Sequence, residues 1–150
     1  MYKCSIVRLE GIDDRLSCLL EQSKAEGHRH LQRLVDEYQS GGNRFDRPGE
    51  LLLAAVDEDR MIGVCGLNRN PYGERQDIGR VRRLYILQAY RRQGVARHLM
   101  EAVVDEAKKH YSALVLFTDQ PAADVFYRSI GFSAGASFEK ATHYLEWGRK

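Results

Sequence analysis

The sequence is sparing in the residues that mark several protein classes. In 150 residues it has three cysteines, three prolines and one tryptophan. Cys4, Cys18 and Cys65 are odd in number and far apart, which argues against a disulfide scaffold and forms no C-x-x-C or zinc pattern. They are expected to be buried free thiols rather than nucleophiles. The five histidines (His28, His30, His98, His110, His143) lack any H-E-x-x-H spacing, so no metal is expected. No apolar run reaches the roughly 18 residues of a membrane span. The opening MYKCSIVRLEG lacks the apolar core of a signal peptide. A cytoplasmic protein with no membrane partner is the expectation. Lys and Arg number 23 against 21 Asp and Glu, a formal charge of +2. That bias is too small to imply a nucleic-acid partner. Repeats, low-complexity segments and interdomain linkers are missing too. The length and 43% hydrophobic content suit one domain over 1–150 with a real core.

What is present centres on Val81–His110, VRRLYILQAYRRQGVARHLMEAVVDEAKKH. Val81–Leu87 is rich in β-branched, aromatic and aliphatic residues and reads as a strand. After the turn Gln88–Arg92, Val95, Leu99, Val103 and Ala107 recur every four residues, with Ala96 and Met100 beside them, as in a helix. Arg97 with Glu101, and Asp105 with Lys109, are spaced for ion pairs on its exposed face. Gly94 stands at the junction and lets a ligand approach its backbone. A helix start offers unpaired N–H groups and positive potential, which together suit phosphate. Arg91, Arg92 and Arg97 add charge there. No Gly-Lys-Ser/Thr follows and no G-x-G-x-x-G is present, so the Walker and dinucleotide patterns are excluded. Arg80, Arg82 and Arg83 read as a solvated basic face.

Elsewhere, Tyr2–Glu10 reads as a strand ended by Gly11. Ile12, Leu16, Leu19 and Leu20 share a helix face, with Asp13 or Asp14 as its cap. Leu31, Leu34, Val35 and Tyr38 define a second helix stopped by Gly41-Gly42. Gly41–Gly49 is a loop on composition. Glu50–Val56 and Met61–Asn68 form a hairpin around Asp57–Arg60, with Gly63 and Gly66 as bulge or close-packing sites. Asn70–Gly79 is turn-rich. Ala113–Phe117 is continuously apolar, as in a strand covered on both faces. Pro121 opens a helix whose buried side is Ala123, Phe126 and Ile130, ended by Gly131. Ala141–Trp147 is a last strand. The order is β-α-α-β-β-β-α-β-α-β, a mixed α/β pattern.

Two stretches carry a resemblance. Arg91-x-x-Gly94-x-Ala96 after a strand is similar to the Q/R-x-x-G-x-G/A signature of the GNAT acetyltransferases. Gln120-Pro121-Ala122-Ala123-Asp124-Val125-Phe126-Tyr127-Arg128-Ser129-Ile130-Gly131-Phe132 resembles their N-x-x-A-x-x-x-Y-x-x-x-G-F, in the family's order and separation. The resemblance covers Ile62 to Phe132. It implies the α/β GNAT acyl-CoA N-acyltransferase fold, whose mixed sheet splays at the cofactor site. It also implies transfer of an acetyl group from acetyl-CoA, without a metal, to a primary amine on a small molecule or peptide. In such a ternary complex the amides of Gln93, Gly94, Val95, Ala96 and Arg97, with Arg91 and Arg92, would hold pyrophosphate. Backbone groups of Leu84, Tyr85 and Ile86 would hold the pantetheine arm and polarise the thioester. Gln120 and Phe126 would complete the cofactor site. Tyr127 would be the general acid, since a phenol of pKa about 10 is protonated at pH 7.

Two positions depart from the family pattern. Arg80 stands where many relatives carry Glu, and an arginine is no base; it would instead meet an acidic group on the substrate. Glu74, Asp77, Glu139 and His143 remain as bases, directly or through water. Gln120 replaces the usual Asn. Acceptor contacts are expected among the first two helices, Phe45, Asp46, Tyr72 and Tyr144. A homodimer would follow the family's habit. A catalytically degenerate domain that binds CoA as a sensor or interaction module is the alternative reading, and a phosphate-binding domain that shares only the helix terminus is a third.

Overall fold

A computed structural model describes residues 4–147. The order is β1 (Ser5–Arg8), α1 (Ser17–Ala25), α2 (His30–Ser40), β2 (Leu51–Asp57), β3 (Arg60–Arg69), β4 (Ile78–Ile86), α3 (Val95–Ala107), β5 (Ala113–Leu116), α4 (Pro121–Ser129), β6 (Ser133–Ala134) and β7 (His143–Glu146). The seven strands form one sheet in the order β1-β2-β3-β4-β5-β7-β6. Only β4 and β5 run parallel; the other neighbours are antiparallel.

The expected order is found, with the two-residue β6 added. The expected first strand is shorter, and Tyr2 lies outside the described residues. Asp13 caps a short 3-10 turn over Asp14–Leu16, its carboxylate accepting the Arg15 N–H at 2.9 Å, and α1 starts only after that turn. Ile12 therefore lies outside the helix. Gly41, at φ 83, ends α2 in the left-handed conformation that glycine adopts without strain. Asn43 and Asn68 exchange amide hydrogen bonds of 2.9 and 3.0 Å, which pins the following loop to β3.

The sheet separates two helical layers, and adjacent residues of β3 show which is which. Cys65 Sγ lies 3.9 Å from Met100 Sδ of α3. A Cβ on Gly66 would come within 2.5 Å of Phe45, just past α2. Side chains of a strand alternate between faces, so α3 covers one face and α1 with α2 the other. Leu19, Leu31, Leu34, Val64, Leu99 and Val103, none of them accessible to solvent, belong to the core built on this sheet. The expected close packing at Gly63 and Gly66 holds: a Cβ on Gly63 would meet Ile86 at 2.7 Å.

Several surface and burial expectations change. Cys65 is buried, Cys4 is half-buried and Cys18 is exposed, because Cys18 lies on the outer side of α1. On α4 the buried residue is Tyr127, while Ala123, Phe126 and Ile130 are only partly covered. The sheet is reached by one narrow edge of this helix. Lys109 pairs with Glu106 at 3.3 Å rather than with Asp105. No Arg97–Glu101 ion pair occurs among the described residues. The solvated arginine face also fails. Arg80 is 6% exposed, Arg82 is half-buried, and Arg83 is ion-paired to Glu37 at 2.8 Å. The central strand starts at Ile78, three residues earlier than the apolar run, so Arg80 falls inside the paired sheet.

Candidate active site

The sheet opens at its middle. β4 and β5 pair at Ile78–Ala113, Gly79–Leu114 and Arg80–Val115. β4 continues to Ile86 while β5 stops at Leu116. Val81–Ile86 therefore have no strand partner on that side among the described residues. A strand edge in a covered sheet leaves N–H and C=O groups to be satisfied. Leu84, Tyr85 and Ile86 are on this edge.

β4 also carries a bulge. Val64 pairs with Tyr85 and Gly66 with Arg82, so the single residue Cys65 faces both Arg83 and Leu84. Arg83 takes φ 64, an uncommon conformation for a residue with a Cβ. The extra residue resets the alternation of faces. Gly79 points towards Tyr111 and Leu114, whereas Arg83 and Tyr85, of the same parity, reach Glu37 and Glu26 on the opposite layer.

The turn after β4 brings Gly94 to the start of α3 with φ 88 and no side-chain cap. The first rung of the helix is His98 N–H to Gly94 C=O at 3.0 Å. The amides of Val95, Ala96 and Arg97 are thus free of the ladder. Arg92, Gln93 and Arg97 are exposed around them. Arg91 is directed elsewhere. Its Nε donates to the Ile86 carbonyl at 2.8 Å, and its two terminal nitrogens donate to Glu26 at 3.0 and 2.7 Å. Its guanidinium also lies 5.2 Å from the Tyr85 ring centre. The Tyr85 hydroxyl donates to Glu26 at 2.5 Å, and burial, followed by Glu26, pushes its pKa up to about 12. Arg91 first, then Tyr85, holds the Glu26 carboxyl below its ordinary value although burial opposes them.

Tyr127 is 6% exposed, and its hydroxyl has no hydrogen-bond partner among the described residues. Its ring packs on Phe126, Phe132 and His143 at 5.2, 5.6 and 6.0 Å. Burial, and then the neighbouring Cys65, raises its pKa well above the phenol range. It is a protonated donor at any physiological pH. Burial also pushes the Cys65 thiol up to about 12, which leaves it inert. The Gln120 amide donates to Asp119 at 3.0 Å and does not cap α4.

Each expected base is exposed or engaged. Glu74 and Glu139 are exposed. Asp77 takes two 2.9 Å bonds from Arg75. His143 places Nε2 2.7 Å from Asp124 and Nδ1 2.8 Å from Thr142. The carboxylate only accepts, so Nε2 carries the proton and both nitrogens are occupied. Arg128 first, then His143, holds Asp124 down to about 2. Arg80 donates to Asn70 at 3.1 Å and to the Lys140 carbonyl, and lies 4.8 Å from the Tyr72 ring centre. It is spent on fixing loops. Phe45 is a buried packing residue, Asp46 is exposed, and Tyr144 packs against Phe138 at 5.5 Å.

The family model for an acetyltransferase (GNAT) domain matches residues 19–145. The chain belongs to the GNAT acetyltransferase family. Its fold is the GNAT acyl-CoA N-acyltransferase fold. A candidate acetyltransferase from Exiguobacterium sp. 255-15 is 28% identical with a TM-score of 0.86, over 97% of this chain and 94% of that one. The GNAT family N-acetyltransferase YhbS of Escherichia coli, solved in complex with CoA, is 22% identical with a TM-score of 0.71, over 95% and 81%. A candidate streptothricin acetyltransferase from Bacillus anthracis, solved with acetyl coenzyme A, is 20% identical with a TM-score of 0.58, over 68% and 65%. No curated protein matches this GNAT domain significantly. Among its described residues no helix is long and apolar enough to cross a membrane, and no group of three or more His, Cys, Asp or Glu is placed to hold a metal.

Sequence reasoning reached the Gly94 turn and Tyr127 through their motifs. It missed Glu26, Arg83 and Asp124. Only Asp124 lies inside a motif, at an unconstrained position. The others meet through the bulge, for which no glycine or proline signals.

Proposed function

We propose that this GNAT domain transfers an acetyl group from acetyl-CoA to a primary amine by direct attack in a ternary complex. The observation that carries the reading is the parting of β4 from β5 beyond Arg80–Val115, beside the free amides at the start of α3. Pyrophosphate would lie on the amides of Gln93–Arg97, with Arg92 and Arg97 adding charge and Arg91 contributing its backbone. The pantetheine arm would follow Leu84, Tyr85 and Ile86, pairing with the strand edge that β5 leaves bare. Phe126 and Gln120 would border it from α4.

The amine nitrogen attacks the thioester carbonyl, and a backbone N–H of the β4 edge meets the developing oxyanion. Collapse forms the amide C–N bond and breaks C–S, and the thiolate takes the Tyr127 proton. Tyr127 suits this step because it is protonated and has no competing acceptor. The acceptor's own proton leaves through water, since the expected bases are exposed or engaged. That last point also favours a second reading, a domain that binds CoA without turnover.

Calorimetric titration with acetyl-CoA, wild type against Gly94→Asp, tests the site. Micromolar binding that the variant loses is expected, since a carboxylate there repels the pyrophosphate. Wild type that fails to bind overturns the proposal. Binding without acetylation of any amine in a broad panel supports the second reading.

A further inference from the structure

The turn between α1 and α2 holds an open cavity with positive charge to spare. Its volume is ≈ 530 Å³, and Lys24, His28, Arg29, Gln32, Arg33 and Asp36 line it, with Gly27. Lys24, Gly27, Arg29 and Arg33 are exposed. A Cβ on Gly27 would meet nothing within 4 Å, so the cavity has both room and access. Arg15, Arg75, Arg91 and Arg128 each meet a carboxylate. Lys24, Arg29 and Arg33 meet none among the described residues. Asp36, the one carboxylate in the lining, accepts from Gln32 at 2.9 Å. Three cations against one anion leave +2, which is the formal charge of the whole chain. The backbone adds to it. α2 starts here with no capping side chain and no acidic residue in its first turn, so the positive end of its dipole is uncompensated.

The cavity stands beside the cofactor turn, on the sheet face opposite α3. Glu26, next to Gly27, holds Arg91 at 2.7 Å. Gln22 accepts from the Gln88 N–H at 2.6 Å and from the Tyr85 hydroxyl at 3.2 Å. α1 is therefore fastened to the end of β4 whose outer edge is bare. Lys24 is two residues on from Gln22, about 200° round the helix, and faces away from that edge. A ligand that touches both Lys24 and the β4 edge has to pass round a helix about 10 Å across. At about 3.3 Å per extended residue this takes about three residues or more, which small amines cannot span.

We infer that the acceptor is a polypeptide amine with acidic residues about three to five positions away along the chain. Their carboxylates dock on Lys24, Arg29 and Arg33 while the amine reaches the β4 edge. The inference rests on the acetyl-transfer reading and adds the class of the acceptor. Recognition of acidic groups passes from Arg80, whose donors are spent, to this cavity.

The test is kcat/KM on matched alanine–glycine octapeptides with a free α-amine. One carries paired glutamates at positions four and five, one carries them at two and three, and two carry glutamines or lysines at four and five. A parallel set offers a lysine ε-amine behind a blocked N-terminus. Distal glutamates should raise kcat/KM over glutamines by roughly threefold to thirtyfold, the range of two exposed ion pairs. The gain should lie mainly in KM and shrink with added salt. The double variant Arg29→Glu, Arg33→Glu should reverse the order in favour of the lysine peptide, with acetyl-CoA binding as the folding control. If it does not fold, the exposed single variant Arg33→Gln decides, with an expected drop in the gain of about twofold or more. Equal turnover of glutamate and glutamine peptides, proximal glutamates as good as distal ones, or a preference the variants leave unmoved overturns this inference. Acetylation of small amines with no peptide turned over also overturns it and leaves acetyl transfer standing. Acetyl-CoA binding without turnover of any amine overturns acetyl transfer and this inference with it.

Discussion

Tyr127→Phe separates chemistry from packing cleanly, because the structure gives the hydroxyl nothing to hold. The residue is 6% exposed. Its ring contacts with Phe126, Phe132 and His143 survive in phenylalanine. Only the hydroxyl is lost, and it is not among the buried atoms that lack a partner. The variant should therefore match wild type to within about 0.5 kcal/mol, a Tm shift of no more than roughly 2 °C either way for a chain of this size. Catalysis should respond differently. A positioned acid contributes about 10²–10⁴-fold, so kcat should fall by that factor while acetyl-CoA affinity holds. The assay is release of the CoA thiol, followed with a disulfide reagent, beside thermal unfolding. The raised phenol pKa also predicts that wild-type kcat shows no loss of this proton below the usual phenol value of about 10. Unchanged kcat in the variant refutes the acid role. A Tm lower by several degrees refutes the unpartnered hydroxyl, and lost activity would then be structural.

Gly66→Ala should destabilise the fold by about 1–3 kcal/mol, because its Cβ would stand 2.5 Å from Phe45 Cε1 and 3.2 Å from the Arg82 carbonyl; chemical denaturation measures it, and no change would mean that Phe45 swings away freely. The Asp124 carboxyl is held at about 2 against about 3.9 in an unfolded chain. Its stabilisation is complete above about pH 4 and fades as pH falls towards 2. Asp124→Asn should flatten the dependence of Tm on pH in that window, and an unaltered slope would contradict the Asp124–Arg128–His143 contacts. Arg80→Met strips the donors from Asn70 and the Lys140 carbonyl, an expected loss of about 1–3 kcal/mol with faster proteolysis between residues 135 and 142. A more stable variant would show that desolvating the guanidinium outweighs its bonds.

Much of the fold was legible in sequence because its signals are local. The apolar periodicity of Val95, Leu99, Val103 and Ala107 follows from helix geometry, and all four are buried. Gly41 ends α2, and Pro121 opens α4. Gly94 and Tyr127 were found as motif positions. Burial was less legible, since it depends on which edge of an element meets the sheet. Tyr127 rather than Ala123 turns inward on α4. Arg80 looks like surface charge by residue type and is enclosed by Asn70, Tyr72 and Lys140, which are ten, eight and sixty positions away.

The sequence by itself determined the order of elements, the family and the turn that frees the amides of α3. Each is written in neighbouring residues, where backbone sterics and side-chain period act directly. Only the tertiary structure decided where β4 parts from β5, that one extra residue turns Arg83 and Tyr85 towards α1 and α2, and which cations keep a partner. Those outcomes depend on register and on contacts between residues far apart in the chain, which no local pattern encodes.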